Sequence, residues 1–443
     1  MSAPRHLAAR AGFAAALCLT AAAPALADGF KLSENSPRDF GMAGSGYAAL
    51  AADPSTIWSN PAGLARLEDW QVTAGAYYVH GRGEFEDAGS VDALGRPIPG
   101  TQDEDLFEDK VVPNLYLAAP VGDRMTLGLG VNVPFGLATD YEPSSITRFQ
   151  SVKSSLQVID INPSVGFALT DQLSFGLGVS AQYADAKLSN AIDFTAVCLS
   201  QAPAASCQAA GLFPARSEGY VKVEGDDWSY GWNAGMLFEP EPGTRVGISY
   251  RSEVSHELEG DANFEPPAGA AIFSPAFTDT QGAAPLDLPA EAAVSLRHEV
   301  SGTFAWNATV RVSFWDLDAL VVDYANPAQP DSVEPLGYHN TTRVALGGEW
   351  APQPDWVFRA GIAYDESPTP EDERSPRVPD SDRVIAALGA SWTPMDSWTV
   401  DLGYQHLFFD DAEIDRIGSS GDRLVGEFDN VADIFGVGIT WRR

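Results

Sequence analysis

Along most of this chain, apolar residues alternate with small or polar ones at a period of two. In 125–135, Leu127, Leu129, Val131, Val133 and Phe135 share one face, while Gly128, Gly130 and Asn132 share the other. In 173–183, Leu173, Phe175, Leu177, Val179, Ala181 and Tyr183 oppose Ser174, Gly176, Gly178, Ser180 and Gln182. The pattern recurs with charge: Val344, Leu346 and Trp350 face away from Arg343 and Glu349, and Phe358, Ile362 and Tyr364 away from Arg359 and Asp365. A half-buried strand of a soluble sandwich also alternates, but its polar face seldom needs so many glycines. A transmembrane barrel reverses the sense, with apolar residues toward lipid and small or polar ones toward the lumen. Trp70, Tyr116, Trp228, Trp232, Trp306, Trp350, Trp356, Trp392, Trp398 and Trp441 stand near strand ends, as interfacial girdles require. A composition of 45% apolar residues with no second long apolar run excludes a helical membrane protein.

The connections give a count. Short turns are expected at 121–124, 170–172, 239–243, 300–303, 351–355 and 394–397. Longer Gly/Pro-rich polar stretches lie near 81–110, 136–148, 190–221, 261–286, 320–338, 366–381 and 411–427. Six short turns alternating with seven long loops make fourteen strands, an even number, as barrels of this kind have. Phe435, Val437, Ile439 and Trp441 alternate with small residues, like the aromatic-ended last strand that the barrel-assembly machinery reads; Arg442 and Arg443 depart from that ending.

Residues 1–27 read as a secretory signal: Arg5 and Arg10, an apolar run from Ala11 to Ala23, and the small-x-small site Ala25-Leu26-Ala27 before Asp28. The apolar run is too short to anchor the chain. After its removal only Cys198 and Cys207 remain; in an exported protein this suggests a local disulfide, against two free thiols. The formal charge of −34 argues against nucleic acid as a partner. Acidic loops could collect divalent cations, but no spaced ligand motif is present, and solvated loops suffice. No metal or cofactor is implied.

Residues 28–69 cannot be strand. The segment opens on Asp28-Gly29-Phe30, continues through Gly41-Met42-Ala43-Gly44-Ser45-Gly46, and closes on Ser59-Asn60-Pro61-Ala62-Gly63. Its small residues permit close packing, so it can fill a lumen; the alternative is a periplasmic extension. Pro134 and Gly136 interrupt the third strand, because proline removes a ladder donor and glycine tolerates distorted backbone. Pro134 could also simply end that strand.

These residues resemble a known family, the long-chain fatty acid outer-membrane transporters of FadL type. The resemblance rests on Gly29-Phe30, Asn60-Pro61-Ala62, the run Pro134 to Thr139, Gly231-Trp232-Asn233-Ala234-Gly235, the run Tyr250 to Val254, the run Ala360 to Pro368 and Pro379-Asp380-Ser381-Asp382-Arg383. It implies an all-β fold: a fourteen-stranded antiparallel transmembrane β-barrel (70–443) in the outer membrane of a Gram-negative bacterium, plugged by an N-terminal hatch (28–69). Asn60-Pro61-Ala62 would be the hatch motif, Asp28, Gly29 and Phe30 a tip reaching the ligand pocket, and Pro134, Phe135 and Gly136 a kink opening the wall sideways.

The expected function is passive import of hydrophobic small molecules, long-chain fatty acids first and aromatic hydrocarbons as the alternative. Phe194, Leu212, Phe213, Phe264, Phe273 and Phe277 in the external loops would form a greasy landing patch, or else pack together as loop core. The family's basic carboxylate partners map near the end of the fifth strand, where Lys187 is the candidate, and after the ninth, where 314–320 holds no base. Expected partners are the ligand, outer-membrane lipid and lipopolysaccharide, and the assembly machinery, with the protein a monomer. A general porin would not need 28–68. A hydrolase is disfavoured because no G-x-S-x-G elbow surrounds any serine.

Overall fold

A computed structural model describes residues 28–33, 35–102, 106–273 and 276–443; the leader expected over 1–27 lies outside the described residues. The strands are β1 (Gln71–Asp87), β2 (Lys110–Val121), β3 (Met125–Asp140), β4 (Lys153–Ala168), β5 (Leu173–Asp193) and β6 (Glu218–Glu241). Four interrupted strands follow: β7 (Thr244–Arg251 and Val254–Glu265), β8 (Thr280–Leu288 and Ala290–Ser301), β9 (Phe304–Phe314 and Ala319–Tyr324) and β10 (Ser332–Pro335 and Thr341–Gln353). The last are β11 (Trp356–Asp365), β12 (Arg383–Met395), β13 (Trp398–Phe409 and Ala412–Ile417) and β14 (Arg423–Arg442). A ladder from Gln71 opposite Arg442 to Asp87 opposite Gly426 joins β1 to β14, so the fourteen antiparallel strands close on themselves. Closure leaves no sheet edge for lipid to desolvate.

Alternation sets the direction of every wall side chain. Leu127, Leu177, Val179, Leu346, Ile362 and Leu402 are exposed, whereas Ser174, Gln182, Asn307, Arg311, Arg343 and Arg359 are buried. The greasy face therefore looks out and the polar face looks in, the reverse of a soluble sandwich. Trp70, Trp228, Trp232, Trp350 and Trp392 stand exposed as a girdle requires. Tyr116 does not: its neighbours Leu115 and Leu117 are exposed, so Tyr116 points inward and is fully buried against Ile57.

All six short turns fall where expected, but the strands run further outward than composition suggests. β1, expected to stop near Gly81, continues to Asp87, and 411–427 keeps only 411 and 418–422 outside strands. Where the outer parts of β1 and β14 pair, Glu84 stands opposite Asp429 and Glu86 opposite Glu427. Backbone pairing continues after the side chains have become charged, because a ladder needs main-chain partners rather than an apolar face.

Inside lies the N-terminal segment. It carries α1 (Pro37–Phe40), α2 (Thr56–Ser59) and a 3-10 turn at Pro61–Arg66. Its contacts run round the whole ring. Pro37 lies against Gly75 of β1 and Gly438 of β14, Ile57 against Gly128 of β3, and Pro61 against Gly176 of β5. Ala48 meets Gly247 of β7, Met42 meets Gly361 of β11, and Gly41 meets Gly389 of β12. A short segment that touches opposite sides of a closed wall is inside it. At Gly176, Gly247 and Gly361 a methyl group would overlap hatch backbone, so these luminal glycines are the seats of the plug.

Candidate functional site

The Asn60-Pro61-Ala62 motif locks the body of the hatch. Asn60 is fully buried; its Nδ2 donates to the carbonyl of Ala48 at 2.7 Å and to that of Met236 in β6 at 3.1 Å. Its Oδ1 accepts the Ala62 N–H at 3.1 Å, capping the turn that Pro61 opens with a preset φ. One amide thus joins two parts of the hatch to the wall, and Ala62 is small enough to lie over Gly176. Arg251 of β7 adds a second lock, donating to the Trp58 carbonyl at 2.9 Å with its guanidinium 3.5 Å from the centre of the Trp58 ring.

The tip is held differently. The β2–β3 ladder stops at Leu115 opposite Val131, although both strands continue. Next to that point β3 carries an extra residue between Asn132 and Phe135 relative to β4, and Pro134 sits in the bulge. Above the break, Glu108 N–H donates to Ala138 O at 3.2 Å and Asp140 N–H to Leu106 O at 3.0 Å, so the wall closes again. The result is a bounded window between β2 and β3. From inside, Leu32 N–H donates to Pro134 O at 2.8 Å and Gly136 N–H to Phe30 O at 3.0 Å. The hatch tip supplies β3 with main-chain partners where its pairing with β2 has ended.

Around the tip, Phe30 packs edge-on against Trp315 at 5.2 Å and near Phe135 and Tyr338. Asp28 is buried and accepts hydrogen bonds from Thr341 at 3.0 Å and the Trp315 indole at 3.3 Å, with Lys31 and Arg311 at 3.3 and 3.6 Å. Gly29, at φ +63°, donates its N–H to Asp380 at 2.9 Å. Asp380 belongs to the external connection before β12. Burial pushes its carboxyl up to about 6, against the pull of Arg383 and of the bonds from Ser367 and Gly29.

Phe30 lines two cavities. The larger, about 330 Å³, runs from Ile385 and Leu407 in the lumen past Leu32 and Gly136 to Val111, a residue 65% exposed on the outer wall. The smaller, about 100 Å³, lies behind Phe30 among Leu156, Leu258, Ala284, Leu286, Leu317 and Leu336. Such apolar spaces with a few convergent polar groups are the usual form of a small-molecule site. Arg343 and Arg383 line the larger cavity and both pair with Asp365, at 3.3 and 2.7 Å; Arg377 lines the smaller one and pairs with Glu334 at 2.8 Å.

Two sequence expectations need correction. Lys187 is not a pocket cation: on β5 it shares the outward face with Tyr183 and Asp185, its side chain is 44% exposed, and it pairs with Asp185 at 3.4 Å. Its neighbours Ala186 and Leu188 point inward and line the small cavity. The phase of the alternation, read one step further along β5, excludes it. The loop phenylalanines are not an exposed landing patch either. Phe194 and Leu212 are fully buried, Phe264 and Phe273 nearly so, and Phe213 and Phe277 pack against them as one loop core. Cys198 and Cys207 are disulfide-bonded within that core. Rings on facing loops remove more apolar surface from water by meeting each other than by standing singly.

No sequence signal marks Trp315, Tyr338 or Arg377 as site residues, and Asp380 is marked only as part of the run Pro379–Arg383. Arg343 is visible only as a charge opposing an apolar face, and Arg383 only as the end of the run Pro379–Arg383; neither signal says what they meet.

The outer membrane protein transport protein family (OMPP1/FadL/TodX) matches residues 18–442. A long-chain fatty acid transport protein of Escherichia coli O6:H1 is 29% identical over 86% of both chains, and outer membrane protein P1 of Haemophilus influenzae is 29% identical over 91% of both. A solved FadL homologue of Pseudomonas aeruginosa superposes with a TM-score of 0.84 at 24% identity, covering 93% of this chain and 99% of that one. The toluene transporter TodX of Pseudomonas putida gives 0.69 at 16% identity, covering 91% and 97%; both structures speak to fold alone. With a closed fourteen-stranded wall, an apolar outer face and a family match along nearly its whole length, this chain belongs to the OMPP1/FadL/TodX family of Gram-negative outer-membrane transport proteins.

Proposed function

We propose that this outer-membrane channel for hydrophobic substrates imports long-chain fatty acids, with Asp28–Phe30 as the gate and the β2–β3 window as the exit. The carrying observation is the continuity of the larger cavity from luminal Ile385 to lipid-facing Val111, with the tip residues Gly29 and Phe30 forming part of its lining. A lipophile gains nothing by crossing water, so release sideways into the bilayer follows the favourable direction of transfer. Ligand in the smaller chamber competes with the Phe30 ring for the surfaces of Leu258, Leu286 and Leu317. Displacing the tip breaks two main-chain bonds to β3, each worth roughly 1 kcal/mol net. Displacement also gives up the Asp28 ion pairs and the Gly29–Asp380 bond, and a ligand that prefers the displaced state by more than this total opens the window. No covalent bond is made or broken, and the gradient drives transport.

Aromatic hydrocarbons are the second reading, favoured by the pairing of Arg343, Arg383 and Arg377 with internal carboxylates. A fatty-acid carboxylate must compete with Asp365 or Glu334 for them, whereas a neutral ligand need not. A deletion strain complemented with this gene tests both. Uptake of labelled long-chain fatty acid should depend on it; dependence of toluene uptake alone would replace the first reading with the second. A general porin would keep its conductance after removal of 28–68, whereas a hatch-gated channel would not.

A further inference from the structure

The wall holds a second seam, between β6 and β7. Their lower ladder runs from Phe238 opposite Val246 to Asn233 opposite Arg251. Their upper ladder runs from Asp226 opposite Glu259 to Tyr220 opposite Glu265. Between them, 227–232 faces 252–258 without ladder pairs, and side chains bridge the joint instead. Trp232 N–H donates to Ser252 Oγ at 2.9 Å, beside a remaining main-chain bond from Ser252 N–H to Trp232 O at 2.9 Å. Ser229 Oγ donates to Ser255 O at 2.6 Å, and Glu257 N–H reaches Asp227 Oδ2 at 3.4 Å. The same Asp227 oxygen lies 3.1 Å from His256 Nδ1, crossing the seam on its inner side.

A wall facing lipid must satisfy its main chain. Here it does so through serine and aspartate side chains, which release by rotation, whereas a ladder releases only by breaking in series. His256 is fully buried, and its Nε2 has no hydrogen-bond partner among the described residues. Behind the seam, Gly225 and Leu258 at its upper edge line the small apolar chamber. In front stand Trp228, Tyr230 and Trp232, all at least half exposed, with exposed Glu253 and Glu257 beside them. This mixture of aromatic and acidic side chains belongs at the outer membrane–water boundary rather than in mid-hydrocarbon.

The geometry points to the β6–β7 seam as a side portal through which hydrophobic molecules at the outer interface of the membrane enter the small chamber behind Phe30, with the Asp227–His256 contact as its clasp. This rests on the transport reading above and adds a separate entrance to its exit. Entry here spares the ligand passage through the packed loop core around Phe194 and Phe264.

The test is a reversible lock. Asp227→Cys with His256→Cys, oxidised in the full-length protein in cells and verified by mass spectrometry, should lose most uptake of labelled long-chain fatty acid, and reduction should restore it. The reduced form of the same variant controls for folding. If the pair does not oxidise, Ser229→Ala with Ser252→Ala should accelerate uptake by loosening the bridges. Equal uptake by oxidised and reduced forms, or unchanged uptake in the serine variant, overturns the portal. If uptake is then still abolished by deleting the transporter, the channel function stands and only this entrance fails; if deletion has no effect, the transport reading fails as well.

Discussion

From Pro37 to Leu67 the plug meets the barrel backbone to backbone, through glycine seats and buried arginine and asparagine bonds. From Asp28 to Ser33 it meets the wall through two main-chain bonds, a cluster of aromatic rings and ion pairs around two cavities. The body is over-determined: moving it would require displacing contacts on strands all round the ring. The tip is under-packed on two sides, because empty space adjoins Phe30 above and behind. One continuous segment therefore holds a fixed part and a displaceable part, and the boundary follows packing density rather than secondary structure.

The comparison is broken most directly at the seats. Gly361→Val places a side chain into the Met42 backbone and should cost about 3 kcal/mol or more, since overpacking against main chain has little room to relax. Thermal unfolding in detergent reads it, and a variant as stable as the parent would mean the body is not tightly seated. Asn60→Ala comes next. It removes two buried donor bonds and a cap, together about 2–3 kcal/mol, read as earlier protease entry into the hatch and a lower denaturant midpoint.

Phe30→Ala should sharpen the contrast. It merges the two chambers, and on stability it should cost about 1 kcal/mol, well below the usual cost for a tightly packed core ring, because cavities already adjoin this one. Ligand affinity, by contrast, should rise by roughly tenfold, because the ligand no longer competes with the Phe30 ring; a loss of stability matching that of Asn60→Ala would erase the distinction between body and tip. The smallest effect is expected at Asp380. Its carboxyl is raised to about 6 by burial, so its favourable contribution is full below the ordinary aspartate range and is lost as pH rises through about 6. Asp380→Asn keeps an acceptor for the Gly29 N–H without the buried charge. It should match or exceed the parent in melting temperature at pH 7 and lose most of that advantage by about pH 4; a pH-independent difference would assign the effect to the lost pairing with Arg383.

Much of the wall was legible residue by residue. The six turns, the strand count and the outward direction of Leu129, Val179 or Ile362 follow from a period of two and from turn chemistry, both local properties. Lys187 shows the same rule ignored: counting on from Leu177 and Val179 already placed it outside. At Tyr116 the phase of the alternation points inward, and it outweighs the preference of an aromatic near a strand end for the girdle. The loop phenylalanines were not decidable in this way, since whether five rings in two loops face water or one another depends on how the loops fold over the barrel. The motif at Asn60 was visible as a motif, but that its amide reaches the carbonyl of Met236 was not.

By itself, then, the chain of residues determined a closed sheet with lipid outside, a leading segment that could not be strand, and a break in β3 at Pro134. Tertiary structure alone decided which glycines seat the plug, which luminal cations are already paired, and that Gly29 is held by Asp380, 351 positions away. The physical reason is one of range. Side-chain direction along a strand is set by its nearest neighbours, whereas a cavity is the space that many distant segments fail to fill, and no single stretch of sequence carries its outline.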